Sequence, residues 1–238
     1  MEDQEIEKLH NLDSYWWFKA KDNLILSMVK KLPCSGPVLD VGCCSGRLLK
    51  KLSVFFCSDS LHGVDPSSLA VRIAREETGI DIKQGNIENL EYGPSSFELV
   101  ITSDVLEHTV DDKGAYEELL RVLKPNGRLI ITVPAHQWLW SSYDEALDHK
   151  RRYSMSTLKA LLKRDNIVIE KVGYYYGLLF PVFMISRLLD RFNKTRSESK
   201  HEFLPGLVNN ILNKLTEFEL KYLKLPFGST IYTQIRKI

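Results

Sequence analysis

The chain has 238 residues, 44% of them hydrophobic, with 32 Lys and Arg against 31 Asp and Glu. This length suits a single α/β domain over residues 1–238, and the near-neutral charge excludes a strongly basic nucleic-acid surface, so we expect no nucleic-acid partner. The N-terminus lacks the basic-then-apolar layout of a secretory signal, and no apolar run has the length of a spanning helix. We therefore expect a cytoplasmic protein.

The first 32 residues predict amphipathic helices. Apolar residues recur at intervals of three and four from about residue 5, and Pro33 ends the pattern. The segment contains the aromatic run Tyr15-Trp16-Trp17-Phe18. We interpret residues 1–32 as a helical lid over a site, with packing of the aromatic rings into the core as the alternative.

Short apolar strands and helical patterns then alternate. Strands are predicted at residues 37–41, 61–64, 80–84, 97–102 and 128–133, and helices near residues 46–53, 67–78 and 113–123. Such alternation predicts a parallel sheet with helices on both faces.

The last third of the chain adds two strands and an insertion. A helix follows the capping residues 154–157, and strands are predicted at residues 167–172 and 229–235. Between these strands, residues 177–227 hold two helical patterns separated by the polar run from Asn193 to Glu202. We interpret them as a helical cap.

The turn after the first strand is the clearest functional signal. Asp40, Gly42, Cys44 and Gly46 occupy alternate positions between an apolar strand and a helix start. Glycine tolerates positive φ and lets a ligand approach the backbone, and a helix N-terminus offers unpaired N–H groups. The dinucleotide fingerprint G-x-G-x-x-G is not met, which leaves a nicotinamide-dependent oxidoreductase as an alternative only.

The spacing Asp40-x-Gly42-x-Cys44-x-Gly46 resembles the D-x-G-x-G-x-G signature of class I S-adenosylmethionine (SAM) dependent methyltransferases. Segments in the family's order follow at residues 62–67, 84–90, 97–108 and 119–134, so the resemblance, which is to methyltransferases of type 11/12 including ubiquinone-pathway enzymes, spans about residues 33–175. It implies a Rossmann-like, doubly wound, seven-stranded and mostly parallel sheet whose last two strands are antiparallel. It also implies SAM as the cofactor and S-adenosylhomocysteine as the product.

The cofactor site implied by this resemblance lies at the carboxyl ends of the strands. Asp65 ends the second strand, where a carboxylate can accept hydrogen bonds from both ribose hydroxyls. Asn86 stands where the family usually has an aspartate facing the adenine, and its amide oxygen can accept the same bond. The full predicted set is Asp40, Gly42, Cys44, Gly46, Asp65, Pro66, Asn86, Ile87 and Ser103.

Two histidines, His108 and His149, are the candidate catalytic residues, because imidazole is the natural general base near neutral pH. A structural role for either is the alternative. Asp104, Glu107 and His108 also match the spacing of a divalent-metal site in some ubiquinone-pathway O-methyltransferases. We predict no metal, with these three residues as the candidates should one bind.

The acceptor side is predicted from segments resembling V-P-x-H and H-x-R-R-Y in a methyltransferase subgroup. Arginine binds carboxylate or phosphate with two parallel hydrogen bonds. The candidate acceptor residues are Trp17, His136, Tyr143, Arg151 and Arg152, and a solvated charge cluster is the alternative for the arginines.

Residues 173–185 carry no charge and precede Arg187, Arg191 and Lys194. The stretch either covers an apolar acceptor or gives peripheral membrane contact through residues 173–194, with burial against the second cap helix as the alternative.

The sequence thus predicts a methyltransferase that moves a methyl group from SAM to oxygen of a small-molecule or lipid-linked acceptor. A non-catalytic SAM-binding or membrane-associating module is the second alternative. The sequence gives no indication of the oligomeric state.

Overall fold

The computed structural model describes residues 15–34, 36–192 and 204–238. Residues 1–14 of the predicted lid, and the polar run from Asn193 to Glu202 with its Lys194, lie outside the described residues. The structure therefore describes only part of the predicted lid and of the predicted cap.

Seven strands and eight helices of the described residues build the fold. The first half contains α1 (Trp16–Val29), β1 (Val38–Val41), α2 (Arg47–Leu52), β2 (Leu61–Asp65), α3 (Ser68–Thr78), β3 (Asp81–Gln84) and β4 (Phe97–Ser103). The second half contains α4 (Asp112–Val122), β5 (Leu123–Pro134), α5 (Ser142–Ala146), α6 (Met155–Leu162), β6 (Ile167–Tyr175), α7 (Phe180–Phe192), α8 (Gly206–Tyr222) and β7 (Thr230–Lys237).

The strands form one sheet in the order β3-β2-β1-β4-β5-β7-β6. Strands β1 to β5 run parallel, and β7 is antiparallel to both β5 and β6. The seven-stranded, mostly parallel prediction is confirmed. Val41 of β1 lies beside Thr102 of β4, so the two loops that follow these strands leave the sheet side by side.

The sheet separates two hydrophobic clusters because successive side chains of a strand point to opposite faces. In β4, Val100 packs with the buried side of α4 on one face, whereas Leu99 and Ile101 pack with α1 and α2 on the other. All four residues of β1 are buried, Asp40 included. A carboxylate is thus placed in a strand otherwise made of apolar side chains.

Several element boundaries differ from the predicted ones. β5 begins at Leu123, five residues earlier than predicted, because Leu123 pairs with Phe97 before the register shifts. β6 continues to Tyr175, so the apolar stretch 173–185 is divided between the sheet and α7. Helix α5 was not predicted, since five residues are too few to show a helical period.

Helices α7 and α8 lie between β6 and β7, as predicted for the insertion. The buried Glu219 of α8 accepts hydrogen bonds from the backbone N–H groups of Gly177 (2.8 Å) and Leu178 (2.9 Å). The backbone N–H of Trp16, at the start of α1, donates to Asn209 of α8 at 2.8 Å. The insertion is therefore joined by hydrogen bonds both to the turn after β6 and to α1.

The Glu219 contact predicts a large loss of stability for Glu219→Ala. Removing the carboxylate leaves two backbone donors without a partner, which should lower the free energy of unfolding by about 2–4 kcal/mol. Urea denaturation measures the change. Glu217→Ala is the matched control, because Glu217 is exposed on the same helix and should change stability by less than about 0.5 kcal/mol. Equal effects of the two substitutions would contradict the assignment.

Candidate active site

A cavity of about 580 Å³ lies at the carboxyl ends of β1 and β4, beneath α1 and α7. Its walls come from the loop after β1, the loop after β4, the segment after β5 and the inner sides of the two helices. The residues that line it include Trp17, Lys21, Asp22, Asp40, Gly42, Cys44, Arg47, Ser103, Asp104, Glu107, His108, Tyr143, His149, Arg152, Phe183, Arg187 and Asp190.

The loop after β1 supplies exposed backbone to this cavity. Gly42 and Gly46 have φ of +79° and +78°, a region that disfavours L side chains. A Cβ on Gly42 would also collide with Val105. Cys44 adopts φ +48° without being glycine, which is an uncommon and strained conformation. The loop is thus shaped to bring main chain rather than side chains to the cavity.

Asp65 fixes the conformation of this loop by hydrogen bonding. Its buried carboxylate accepts hydrogen bonds from the backbone N–H groups of Cys44 (2.9 Å) and Ser67 (3.0 Å). Burial raises the pKa of Asp65, and the two backbone hydrogen bonds oppose that rise. Asp65 is not among the residues that line the cavity. Its predicted contact with the ribose remains a prediction, beside an observed role in fixing the loop.

The predicted adenine side also lies outside the cavity lining. Asn86 is exposed and its Oδ1 accepts a hydrogen bond from the backbone N–H of Glu88 at 3.3 Å, while Ile87 is buried. Pro66 is likewise not a lining residue. Ser103 lines the cavity, and its hydroxyl lies 2.9 Å from Thr132 Oγ1.

Asp40 faces the cavity from β1 with only 3% of its surface exposed. Burial, followed by the nearby Asp22 carboxylate, raises the pKa of Asp40 to about 7, and the Arg47 guanidinium opposes the rise. Its charge is therefore sensitive to any cation that enters the cavity.

Helix α1 contributes two charged residues that sequence reasoning missed. Lys21 forms an ion pair with Asp104, and its Nζ lies 5.1 Å from the centre of the Trp17 ring. Asp22 forms an ion pair with Arg47, and it is also paired with Lys51 at 2.6 Å. Charged residues in an amphipathic helix are normally read as its solvated face, so the pattern gave no signal.

Trp17 stacks on Tyr176 with ring centroids 4.2 Å apart, and the Tyr176 hydroxyl donates to the carbonyl of Trp17 at 2.8 Å. The aromatic run at the start of α1 packs with the hydrophobic core and also lines the cavity, and its role as a lid stays a prediction.

Asp144 and His149 form a hydrogen-bonded pair at the cavity wall. Asp144 Oδ1 lies 2.8 Å from His149 Nδ1 and accepts from Arg152 Nε at 2.7 Å, while its Oδ2 accepts from the backbone N–H of Ser141 at 3.0 Å. Burial alone would raise the pKa of Asp144, but the His149 hydrogen bond and the Arg152 charge outweigh it and lower the pKa. An ionised Asp144 can only accept, so Nδ1 of His149 carries the proton and Nε2 is left as the basic nitrogen.

The two candidate histidines meet edge to face, with ring centroids 4.8 Å apart. Desolvation in the cavity, followed by the neighbouring His149, lowers the pKa of His108 to about 4, although part of the His108 ring remains exposed. His108 is therefore neutral at pH 7 and a weak base. Of the two histidines, only His149 has a carboxylate hydrogen-bonded to its ring.

The structure changes the set of residues that could hold a metal. Ligand atoms of Glu107, His108 and His149 all lie within 4.8 Å of one another, and Glu107 Oε2 is buried without a hydrogen-bond partner. Asp104 is engaged instead, because its carboxylate pairs with Lys21 and accepts from the Thr132 hydroxyl at 3.1 Å. Two imidazoles and one carboxylate are ligands suited to Zn²⁺ and similar ions.

The predicted acceptor residues divide into two groups. Trp17, Tyr143 and Arg152 line the cavity, but His136 and Arg151 do not. Arg151 pairs with Asp112 at 2.9 Å and donates to two backbone carbonyls. His136 stacks on Tyr174 with centroids 5.4 Å apart.

Arg187, from α7, is a further cation at the cavity that the acceptor prediction did not include. Its guanidinium carbon lies 4.0 Å from the centre of the Tyr143 ring. The cap prediction placed a basic residue here without assigning it to the site.

A doubly wound sheet with a glycine loop, a carboxylate at the end of β2 and a cavity at the carboxyl ends of β1 and β4 is the arrangement expected of a Rossmann-like methyltransferase. Residues 39–131 match the family model described as "Methyltransferase domain". This match supports the resemblance of the chain to the class I SAM-dependent methyltransferases.

The chain is similar in sequence to a curated methyltransferase and similar in fold to a solved one. The ubiquinone biosynthesis O-methyltransferase of Bradyrhizobium diazoefficiens is 30% identical over 117 residues, covering 46% of this chain and 45% of that protein. A solved structure of Haemonchus contortus phosphoethanolamine N-methyltransferase 2 with S-adenosyl-L-methionine superposes with a TM-score of 0.61 at 18% identity, covering 91% of this chain and 52% of that one.

The fold by itself does not fix the reaction. The [4+2]-cyclase SpnF superposes with a TM-score of 0.62 at 20% identity, covering 93% of this chain and 83% of that one. The chain spans between 36% and 58% of the length of the first curated relatives that it matches. The acceptor and the reaction therefore depend on the residues of the site and not on the fold.

Asp65→Ala is predicted to weaken binding of S-adenosylhomocysteine ten- to a hundred-fold. The substitution removes a carboxylate that holds the glycine loop and is predicted to bind the ribose, and hydrogen bonds to charged groups contribute about 1.5–3 kcal/mol. Isothermal titration calorimetry measures the affinity. Asp81→Ala, at an exposed position on the neighbouring strand β3, is the control and should bind normally. Unchanged affinity in Asp65→Ala would contradict both roles.

The raised pKa of Asp40 predicts that cofactor affinity depends on pH. The carboxylate is ionised above about pH 7 and neutral below it, and SAM is a cation, so affinity should fall as the pH drops through 7. We expect a decrease of roughly ten-fold between pH 7.5 and pH 5.5 by calorimetry. Asp40→Asn should lose most of this dependence, and an unaltered slope in that variant would refute the explanation.

Proposed function

We propose that this methyltransferase transfers the methyl group of SAM to a hydroxyl oxygen of a small-molecule or lipid-linked acceptor. The observation that carries the proposal is the Asp144–His149 pair, which presents a basic ring nitrogen in the same cavity as the glycine loop. A base is needed when the acceptor is a hydroxyl, because its proton must leave as the oxygen gains the methyl group.

The cavity is suited to the cofactor. Residues 42–45 of the glycine loop line the cavity, although Gly46 does not, and Asp40 offers a carboxylate with no hydrogen bond or ion pair to the rest of the described chain. SAM, when bound, supplies a methyl group on a sulfonium whose positive charge disappears during transfer. The protein must then mainly bring acceptor and cofactor together, since fixing two reactants supplies much of the acceleration.

His149 is proposed as the general base. Asp144 accepts from its Nδ1, which fixes the tautomer and the ring orientation and leaves Nε2 to take the hydroxyl proton. The resulting imidazolium would be stabilised by the ionised Asp144 beside it. Arg152, on the same carboxylate, keeps Asp144 ionised through its charge.

The proposed acceptor region is bounded by Trp17, Tyr143 and Phe183, with the Arg187 guanidinium among them. Aromatic walls favour an apolar or ring-containing acceptor, and the guanidinium favours one that carries an anionic group. A lipid-linked acceptor, and with it peripheral contact with a membrane, is part of this proposal.

The alternative of a non-catalytic module is less well supported. A module that only bound SAM would have no use for a buried carboxylate that orients a histidine toward the cofactor cavity. The nicotinamide alternative lacks the required glycine spacing, and the family match argues against it.

His149→Ala and Asp144→Asn are each predicted to lower methyl transfer by roughly a hundred- to ten-thousand-fold, the usual contribution of a positioned base. Transfer of a labelled methyl group from SAM into fractionated lysate provides the assay. Affinity for S-adenosylhomocysteine should stay unchanged in both variants, since neither residue belongs to the glycine loop.

Asp148→Asn is the matched control, because this exposed aspartate lies beside His149 in the same turn and should leave transfer unaltered. Treatment with a chelator separates the base from the metal alternative. Full activity after chelation is expected, whereas a loss restored by Zn²⁺ or Mg²⁺ would make His149 a ligand and refute its role as base.

A further inference from the structure

Helix α8 turns an apolar stripe to the solvent, although other leucines of the helix, Leu212 and Leu220, pack against the hydrophobic core. Leu207 is 74% exposed, Phe218 is 50% exposed, and Ile211 and Tyr222 are exposed on the same face. Their spacing of four or seven residues places them along one side of the helix. The buried side carries Thr216 and Glu219, which hydrogen-bond to backbone groups. The helix is therefore apolar on its outer side as well as toward the core, whereas a surface helix usually has a polar outer side.

Helix α7 also exposes an apolar side, beside the cavity. Val182 is 63% exposed, and Ile185 and Leu189 are exposed at the following turns. Arg187 and Asp190, on the other side of the helix, line the cavity. One helix therefore separates the acceptor region from an apolar outer surface.

Both helices of the insertion therefore expose apolar side chains to water. Contiguous exposed apolar patches on soluble proteins mark sites of association. Among the described residues, no helix is long and apolar enough to cross a membrane.

Positive charge borders the stripe of α8. Lys214 and Lys221 are exposed along one edge of it, with the exposed Glu217 between them in the sequence, and within the described part of the chain no carboxylate lies within ion-pair distance of either lysine. The Nζ of Lys221 lies 5.0 Å from the centre of the Tyr222 ring, and the Phe218 and Tyr222 rings are 5.1 Å apart. Lysines beside an apolar and aromatic face are typical of helices that lie in a membrane interface.

We propose that the outer faces of α7 and α8 dock on a bilayer that contains anionic lipids, with the apolar side chains in the interface and the lysines at the headgroups. The two lysines outnumber the single carboxylate, Glu217, at this edge, so the net charge favours an anionic surface over a second copy, which would bring the same net positive charge to the face. Docking would place the acceptor region next to the lipid. This last point rests on the proposed function, whereas the docking itself does not.

The experiment uses the full chain and sedimented vesicles of phosphatidylcholine, with or without phosphatidylglycerol. The wild type should pellet with the anionic vesicles and should do so less as salt is added. Ile211→Glu combined with Phe218→Glu should reduce partitioning at least ten-fold. Val54→Glu combined with Val110→Glu is the control and should bind as wild type, because both valines are 79% exposed elsewhere on the surface.

Charge reversal tests the second half of the proposal. Lys214→Glu combined with Lys221→Glu should remove the preference for anionic vesicles, with roughly a five-fold loss for each lysine. Lys113→Glu combined with Lys159→Glu, on exposed positions of α4 and α6, is the matched control and should keep the preference.

Two results would overturn docking on lipid. One is no pelleting of the wild type with anionic vesicles. The other is a dimer in sedimentation equilibrium that Ile211→Glu with Phe218→Glu dissociates without any effect on vesicle binding, which would identify a second copy as the occupant. Calorimetry with S-adenosylhomocysteine on every variant reports, independently of vesicle binding, whether the variant is folded with an intact cofactor site. Vesicle binding without cofactor binding would refute only the proposed function.

Discussion

The cavity exists because β1 and β4, which are neighbours in the sheet, send the chain to opposite faces. After β1 the chain enters α2, which packs with one hydrophobic cluster, and after β4 it continues to α4, which packs with the other. Two chains that separate in this way leave a crevice at the sheet edge, as is general for open α/β sheets. Positive φ at Gly42 and Asp104 shows how sharply both loops must turn there. Every functional feature of this protein is arranged around that separation.

Several carboxylates line the cavity, and they differ in the groups with which they pair. Asp22 and Asp104 are each held by a cation, and Asp144 is held by an arginine and a histidine. Burial and the neighbouring Asp104 raise the pKa of Glu107 well above its ordinary value. Similar side chains thus serve different purposes because their surroundings differ. The ion pairs of Asp22 and Asp104 attach α1 to the start of α2 and to the loop after β4. Asp40, in contrast, remains available to a cationic ligand.

The sequence predicted those parts that depend on local chain geometry. The carboxyl ends of β1 to β5, the glycine loop and Asp65 at the end of β2 follow from spacing along a few residues, and the structure has them within one residue of the predicted places. Lys21 and Asp22 were missed because their partners lie far away along the chain. Arg151 was predicted on the acceptor side from its residue type, but Asp112, remote in sequence, holds it elsewhere. Periodicity located α8 but could not tell which face turns inward, because Glu219 is drawn inside by backbone donors of another segment.

The hydrogen bonds of Glu219 have a mechanical consequence. They join α8 to Gly177 and Leu178, immediately before α7 begins, so a displacement of α8 would be transmitted to the start of α7. Helix α7 carries Phe183 and Arg187 in the cavity wall. The position of α8 is consequently connected to the wall of the acceptor pocket through two backbone hydrogen bonds.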